Sequence, residues 1–336
     1  MTPDNENQND LYDVTMIGAG PTGMFGAFYA GMREMSCKII DALPELGGQL
    51  TVLYPEKLIY DVPGFPKILA RDLVREQWEQ IARWEPRLCL GERALKLYQA
   101  GGHWVVETNR DLHHSRTVVI CAGVGAFTPK KLGVESVDHY RGEGVYYFVK
   151  EKAPFRGKRL LIVGGGDSAV DWALNLKDYA RHITLIHRRD EFRAHPAMVA
   201  ELKASPVDIK LFYELRAVHG DGHITGATIF NNQTRQEERL EVDMVILNLG
   251  FNADLGPLRE WGLEVVGRRY LKVNARQETN LPGVYAAGDV ATMDGVDPLN
   301  LIVIGYAQAT IAVNYAYTFN NPGAKAFPGH SSEKTL

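Results

Sequence analysis

The chain has 336 residues, 45% hydrophobic and 23% charged, a composition typical of a folded protein of about two domains. Its 37 Lys and Arg residues against 41 Asp and Glu residues give a net charge of −4, which argues against a dedicated nucleic-acid-binding protein. The three cysteines, Cys37, Cys89 and Cys121, form no Cys-x-x-Cys motif and are typical of a reducing compartment. The first ten residues lack the features of a signal peptide, and no apolar run reaches the roughly 20 residues of a membrane helix. We therefore expect a cytoplasmic protein that binds neither membrane nor nucleic acid.

The first motif of the folded part is a strand, a glycine-rich turn and a helix. Residues 12–17 predict a short strand, and the G-x-G-x-x-G sequence of Gly18, Gly20 and Gly23 follows before a helical segment. In such a unit the glycines allow a tight turn, close approach of a pyrophosphate, and packing of the helix on the strand. The next predicted strand ends in Asp41, where a carboxylate accepts hydrogen bonds from a ribose.

The same arrangement recurs in the second half of the chain. A predicted strand at residues 159–163 leads into a turn whose glycine positions are Gly164, Gly166 and Ala169, and the strand after the next helix ends at His187. This unit also offers basic candidates for a coenzyme phosphate: Arg188, Arg189 and Arg193. A terminal carboxylate suits the free ribose of FAD or NAD, whereas arginines suit the 2′-phosphate of NADP. The alternative is that the basic run is an ordinary solvated loop.

A third segment predicts a flavin. Residues 284–287 predict a strand that runs into Gly288 and Asp289 and then into a helix start. An aspartate there accepts hydrogen bonds from the ribityl chain, and helix N–H groups face the end of the ring where negative charge builds on reduction. Two dinucleotide sites in one chain predict electron transfer between two cofactors, FAD and NADPH. The histidines show no metal-binding spacing, so we predict no metal.

Together these motifs resemble the two-dinucleotide flavoprotein family that includes low-molecular-weight thioredoxin reductase. The matching segments are residues 18–23, 47–50, 62–66, 121–123, 164–169, 187–193 and 287–289. The redox dithiol of thioredoxin reductases is missing, because residues 142–151 contain no cysteine, and Thr22 stands where a related disulfide reductase branch has one. The chain instead resembles the thioredoxin-reductase-like ferredoxin–NADP+ reductases, on residues 53–61, 147–149, 166–172 and 327–332.

This resemblance implies an α/β fold of two Rossmann-like domains, with the NADPH domain (residues 124–251) inserted into the FAD domain (residues 11–123 and 252–336). It also implies a homodimer in which the C-terminal tail reaches the flavin of the neighbouring subunit. Tyr54 would stack on one face of the flavin and His330 of the tail on the other, with no acid or base catalyst. The implied FAD ligands are Gly18, Gly20, Thr22, Gly23, Asp41, Gln49, Tyr54, Ala94, Phe127, Asp289 and Ser332. The implied NADPH ligands are Gly164, Gly166, Asp167, Ser168, Ala169, His187, Arg188, Arg189 and Arg193.

The implied reaction passes a hydride from NADPH to the flavin N5 and then single electrons to ferredoxin, or to flavodoxin, as partner. Two alternatives remain open at this point. One is an NADPH-dependent disulfide or peroxide reductase that acts through cysteines of a partner. The other is a flavin-binding sensor without turnover, which would need a defective NADPH site.

Overall fold

The computed structural model describes residues 11–125, 128–252 and 254–333. Its contacts divide the chain into two compact units. Unit 1 consists of residues 1–126 and 253–336, and unit 2 of residues 127–252. Among the described residues, no helix has the length and apolar character needed to cross a membrane.

The first segment of unit 1 alternates strands and helices before an antiparallel run. Its elements are β1 (Leu11–Ile17), α1 (Pro21–Met32), β2 (Cys37–Asp41), α2 (Gln49–Val52), β3 (Leu58–Ile59), β4 (Ile68–Leu69), α3 (Ala70–Ala82), β5 (Arg87–Leu90), β6 (Ala94–Ala100), β7 (His103–Thr108) and β8 (Leu112–Ile120).

Unit 2 has the same alternation, interrupted by a small antiparallel sheet. Its elements are β9 (Thr128–Pro129), α4 (Glu135–His139), β10 (Val145–Tyr146), a 3-10 turn (Ala153–Phe155), β11 (Arg159–Val163), α5 (Asp167–Leu176), β12 (His182–His187), α6 (Pro196–Ala204), β13 (Asp208–Leu211), β14 (Tyr213–Gly220), β15 (Ile224–Asn231), β16 (Glu237–Leu240), β17 (Met244–Leu247) and β18 (Phe251–Asn252).

The chain then returns to unit 1 and ends with a long helix and a tail. The elements are a 3-10 helix (Gly256–Glu260), β19 (Val265–Val266), β20 (Tyr270–Lys272), β21 (Val284–Ala286), β22 (Ala291–Thr292), α7 (Ile302–Asn320) and a last 3-10 turn (Ser331–Glu333).

The main sheet of unit 1 has the order β5-β2-β1-β8-β7-β6, and β21 pairs with the second half of β8. The strands β5, β2, β1, β8 and β21 are parallel, whereas β7 and β6 are antiparallel. Val14 and Met16 of β1 pack on one face beside Val313 of α7, and Ile17 belongs to the core on the other face. The last four residues of β1, Val14–Ile17, are all buried, and the loop after β1 lies at the carboxyl edge of the parallel strands.

Unit 2 has a five-stranded parallel sheet in the order β10-β17-β11-β12-β13. The strands β14, β15 and β16 form a separate antiparallel sheet whose side chains pack into the same core. Helix α5 begins at Asp167, directly after the glycines, and ends at Leu176. The second strand–turn–helix motif is therefore present, with the helix starting earlier than the apolar pattern alone suggests.

The helix expected directly after Asp289 is wrong. Asp289 is followed by the short strand β22 and a loop, and α7 begins only at Ile302. The loop contains Gly295, with a φ of +72°, and Pro298, which lacks an N–H for a helical hydrogen bond. These residues end any helical turn before the apolar run of α7 begins.

Candidate functional site

The loop between β1 and α1 is so tight that two of its glycines have no room for a side chain. Gly18 has a φ of +118°, and a Cβ there would lie 2.3 Å from the carbonyl oxygen of Cys121. A Cβ on Gly23 would lie 1.9 Å from the carbonyl oxygen of Gly18, so α1 sits directly against the loop. In contrast, no described atom lies within 4 Å of a Cβ on Gly20, the residue before Pro21. This open side and the free N–H groups of the first turn of α1 suit an anion.

Asp41, at the end of β2, connects three loops of this edge. Its Oδ2 accepts a hydrogen bond from the N–H of Ala19 at 2.6 Å, and its Oδ1 from the N–H of Leu43 at 2.8 Å. Burial raises the pKa of the carboxyl group, and the two backbone donors act in the opposite direction. Each carboxylate oxygen has a further lone pair for a hydroxyl donor. The main-chain carbonyl of Asp41 accepts a hydrogen bond from the N–H of Glu92 at 2.9 Å. Ala94, at the start of β6, follows Glu92 closely in the sequence.

Three predicted flavin ligands come together in unit 1. Gln49 Nε2 donates to Asp289 Oδ2 at 3.2 Å, although the two residues are far apart in sequence. Burial raises the pKa of Tyr54 to about 12, with help from the charges of Asp289 and Asp61, so its phenol stays protonated at neutral pH. Burial also raises the pKa of Asp289, and the hydrogen bond from Gln49 lowers it. An aromatic ring, an amide and a carboxylate are thus held in one region.

Helix α7 adds two residues that sequence reasoning missed. The N–H of Gly288 donates to Gln308 Oε1 at 2.7 Å. A Cβ on Gly288 would lie 2.8 Å from Thr22 Oγ1, and one on Gly305 would lie 2.2 Å from the same atom. The first turns of α1 and α7 therefore meet at Thr22. A glycine inside an apolar helical run, such as Gly305, is the sequence signal for such a close approach.

The C-terminal tail is held at its start by Arg33, at the end of α1. Its Nη2 donates to the carbonyl oxygen of Lys325 at 2.7 Å, and its Nη1 to that of Phe327 at 3.1 Å. The guanidinium also lies 3.7 Å from the centre of the Tyr317 ring. Beyond this anchor, the His330 ring packs edge to face against Phe327 with 5.3 Å between ring centres.

Two predicted flavin contacts in the tail, His330 and Ser332, are not joined to this group. Within the described ranges, no hydrogen bond or ring contact links His330 or Ser332 to Tyr54. Both tail residues are exposed, and Ser332 lies in the last 3-10 turn. Phe127 lies outside the described residues.

The second glycine loop repeats the geometry of the first in unit 2. Gly164 has a φ of +155°, and a Cβ there would lie 2.5 Å from the carbonyl oxygen of Asn248. Ala169 is fully buried, whereas Ser168 in the first turn of α5 is exposed. No described atom lies within 4 Å of a Cβ on Gly166, which precedes α5. The start of α5 is therefore a second open N-terminus suited to a phosphate.

The basic segment after β12 is fixed against this glycine loop. The ring of His187 covers Gly165, where a Cβ would lie 2.2 Å from the ring. The N–H of Arg193 donates to the Gly165 carbonyl at 2.7 Å. The N–H of His195 donates to Asp167 Oδ1 at 2.9 Å. Asp167, predicted as a coenzyme ligand, thus holds the basic segment in place.

The arginines of this segment, Arg188, Arg189 and Arg193, are exposed. His187 is buried beside them, and its Nε2 lies 3.1 Å from the carbonyl oxygen of Glu191. Burial is the first cause that lowers the pKa of His187, and the three arginine charges lower it further. A neutral His187 therefore serves as a packing surface, and the arginines supply the positive charge.

A buried polar chain crosses the sheet of unit 1. Lys38 is fully buried, and its Nζ lies 3.2 Å from Nδ1 of His113. The Nε2 of His113 lies 2.8 Å from Glu92 Oε2, which also accepts from Thr108 Oγ1 at 3.0 Å. Because an ammonium group only donates, Nδ1 must accept and Nε2 must carry the proton that it donates to Glu92.

The same cluster has a set of possible metal ligands that the sequence pattern did not suggest. Ligand atoms of Cys89, Glu92 and His113 lie within 4.8 Å of one another. A metal would need the lone pair on His113 Nε2, which the hydrogen-bond directions assign to a proton. Lys38 also donates to Nδ1, whereas the second nitrogen of a metal-bound histidine normally donates. We interpret the cluster as a hydrogen-bonded charge pair.

Comparison with known proteins places these motifs in a family. The family model described as pyridine nucleotide-disulphide oxidoreductase matches residues 12–316. The ferredoxin–NADP reductase of Thermus thermophilus is 51% identical over 330 residues, which cover 97% of this chain and 98% of the relative. That of Symbiobacterium thermophilum is also 51% identical, with the same coverage. The crystal structure of T. acidophilum thioredoxin reductase is 28% identical with a TM-score of 0.80, covering 93% of this chain and 99% of that chain.

These matches cover nearly the whole chain, so the predicted α/β fold of Rossmann-like type and the resemblance to thioredoxin-reductase-like flavoproteins are confirmed. The relatives are oxidoreductases by name, which confirms the prediction of an enzyme of that class. The chain belongs to the pyridine nucleotide-disulphide oxidoreductase family and, within it, to the thioredoxin-reductase-like ferredoxin–NADP reductases.

Proposed function

We propose that this protein transfers electrons between NADPH and ferredoxin through bound FAD, without a redox-active dithiol. The observation that carries this choice over disulfide reduction is the state of its thiols. All three cysteines are free and buried. Burial raises the pKa of Cys37 and Cys121 to about 12, and it also raises the pKa of Cys89. At neutral pH none is the thiolate that attacks a disulfide.

Unit 1 is the proposed FAD domain, and its residues fit that cofactor. The open side of Gly20 and the N-terminus of α1 would receive the pyrophosphate, and Asp41 a ribose. Gln49 and Asp289 offer an amide and a carboxylate for the ribityl chain. The other assigned residues are Gly18, Thr22, Gly23, Ala94, Phe127 and Ser332.

Unit 2 is the proposed NADPH domain. The open side of Gly166 and the start of α5 would receive the coenzyme pyrophosphate. The exposed guanidinium groups of Arg188, Arg189 and Arg193 would bind the 2′-phosphate. Gly164, Asp167, Ser168, Ala169 and His187 would shape this surface.

FAD, when bound, supplies the conversion between a two-electron hydride donor and a one-electron acceptor. The chain would orient the ring and restrict water. Tyr54 would cover one face of the ring with its phenol protonated, and His330 would cover the other. Asp289 would hold the ribityl chain and so fix the ring between them.

The remaining proposals concern partners and location. The acceptor is ferredoxin, as the relatives' names state for those proteins, or a flavodoxin of similar role. The protein is a homodimer in which the tail after Phe327 reaches the flavin of the other subunit. The free, buried cysteines agree with a cytoplasmic location.

A stopped-flow assay of the purified holoenzyme tests this function. NADPH should bleach the flavin absorbance rapidly. Cytochrome c should then be reduced only when ferredoxin is also present. A chromogenic aromatic disulfide should be reduced no faster than in the absence of enzyme.

Two outcomes would overturn the proposal. Rapid NADPH-dependent reduction of the disulfide would establish the disulfide-reductase alternative. Failure of NADPH to bleach the flavin would favour a sensor without turnover.

A further inference from the structure

Asn232, in the turn between β15 and β16, contacts the main chain of the basic segment at Arg188. Its Nδ2 donates to the carbonyl oxygen of Arg188 at 2.9 Å and to Glu214 Oε1 at 3.0 Å. Both partners are acceptors, and one amide nitrogen has two protons to give. An amide side chain is therefore suited to this position, and a carboxylate is not.

The turn that carries Asn232 is itself well fixed. The N–H of Asn232 donates to the Phe212 carbonyl at 2.8 Å. Asn231 Oδ1 accepts from the N–H groups of Gln233 and Thr234 at 3.0 and 2.9 Å. Such side-chain-to-backbone bonds hold a short turn in one conformation. Asn232 thus presents its amide from a rigid support.

The two ends of the basic segment are held by different parts of unit 2. Near its C-terminal end, Arg193 and His195 bond to the glycine loop and to Asp167. At its N-terminal end, the carbonyl of Arg188 bonds to Asn232. The position of the main chain at Arg188 determines the points from which the exposed side chains of Arg188 and Arg189 extend.

We propose that Asn232 is a positioning residue for coenzyme specificity. By holding the main chain at Arg188, it keeps the guanidinium groups of Arg188 and Arg189 where they bind the 2′-phosphate of NADPH. Its bond to Glu214 also holds that carboxylate in place near the arginines' backbone. This inference rests on the proposed NADPH site of unit 2. It predicts discrimination between NADPH and NADH, because only NADPH carries the 2′-phosphate.

The test replaces Asn232 by a side chain of similar size without donors or charge. In the holoenzyme, Asn232→Leu should raise KM for NADPH on the order of tenfold and leave kcat and KM for NADH unchanged. Calorimetry should show the same loss of affinity for adenosine 2′,5′-bisphosphate and none for 5′-AMP. The control is Gln233→Leu, one residue along the same turn, whose side chain is exposed. Its KM for NADPH and its affinity for adenosine 2′,5′-bisphosphate should stay at their original values. Asn232→Ala replaces the leucine variant if that protein does not fold.

A variant cycle separates this inference from the proposed function. In a protein carrying Arg188→Ala and Arg189→Ala, Asn232→Leu should have no further effect, because the groups that it positions are gone. Equal effects of Asn232→Leu on NADPH and NADH, or additivity with the arginine changes, would overturn the positioning role. If the arginine variant itself keeps its preference for NADPH, the proposed phosphate site fails. If the arginine variant loses the preference for NADPH over NADH but Asn232→Leu retains that preference, the proposed phosphate site stands and only the role of Asn232 fails.

Discussion

At the residue scale, Lys38 is a charged side chain buried in the interior of unit 1. Its side chain is fully buried, and its Nζ lies 4.3 Å from the centre of the Tyr12 ring and 3.2 Å from His113, which in turn contacts the Glu92 carboxylate. Thr108 supplies a further donor to that carboxylate. A buried charge is costly unless it is paired and hydrogen-bonded, so the chain through His113 to Glu92 stabilises the ammonium.

Replacing Glu92 by glutamine should therefore be strongly destabilising. Glu92→Gln keeps the shape but removes the negative charge that accepts hydrogen bonds from His113 and Thr108 and that His113 links to Lys38. We expect a loss of about 1–3 kcal/mol in the free energy of unfolding, measured by urea denaturation, because buried donors lose a charged acceptor. Glu107→Gln is the matched control, because Glu107 pairs with an exposed Lys96 and its removal should change the stability little. Equal effects of the two variants would contradict the interpretation of a buried charge pair.

The sequence predicts some of these residues and not others, for a physical reason. The glycine loops and Asp41 are readable because strand, turn and helix lie next to one another in the chain. The chain from Lys38 through His113 to Glu92 depends on which strands become neighbours, and the sequence does not state that order. Asn232 is hidden for the same reason.

At the element scale, Arg159 at the start of β11 is hydrogen-bonded to Asp243, the residue before β17. Asp243 accepts hydrogen bonds from the backbone N–H of Arg159 at 2.8 Å and from its Nη2 at 2.7 Å. The hydrogen bond from the Arg159 side chain is the main cause that lowers the pKa of Asp243 below the ordinary aspartate value of 3.8. The bidentate geometry sets the register at which the two strands begin.

This pair predicts a pH-dependent contribution to stability. Because the carboxyl pKa is lower in the folded protein, the contribution is present above about pH 3.8 and is lost as the pH falls through the folded value. Asp243→Asn should cost about 1–2 kcal/mol at pH 7 in urea unfolding, and the difference from the original protein should shrink in acid. Glu241→Gln removes the more exposed partner of the same arginine and should change stability little. A difference that persists unchanged in strong acid would refute this account.

The tail anchor gives a second prediction at this scale. Arg33→Met removes two hydrogen bonds to the tail carbonyls, together worth about 1.4 kcal/mol, so trypsin should cut after the exposed Lys325 about ten times faster. Arg83→Met, at the corresponding end of α3, is the control and should leave this rate unchanged. An unchanged rate in Arg33→Met would show that other contacts hold the tail.

Element bounds could be predicted where apolar periodicity and glycine turns agree, as for β1, β11 and β12. They could not be predicted for the stretch after Asp289, where a helix was expected and β22 and a loop were found. A Gly-Asp turn is compatible with either continuation, so this motif alone does not distinguish a helix from a strand and loop.

At the scale of the whole molecule, the two glycine loops predict two sheets of the dinucleotide-binding type. The parallel strand orders around β1 and β11 follow the pattern that such motifs require. The antiparallel additions, β6 with β7 and the sheet β14-β15-β16, have no such signature. Yet the latter sheet carries Asn232, so part of the proposed coenzyme selectivity depends on an addition to the common fold.

The chain leaves unit 1 and returns to it at one place. Gly125 forms a bridge with Asp254, and a Cβ on Gly125 would lie 1.9 Å from the Asp254 carbonyl oxygen. Strand β9, at the entry to unit 2, pairs with β18 at its exit. Topologically, unit 2 is therefore a cassette whose two ends are adjacent. A short linker between Gly125 and Asp254 could therefore replace the whole of unit 2 without changing the strand order of the main sheet of unit 1.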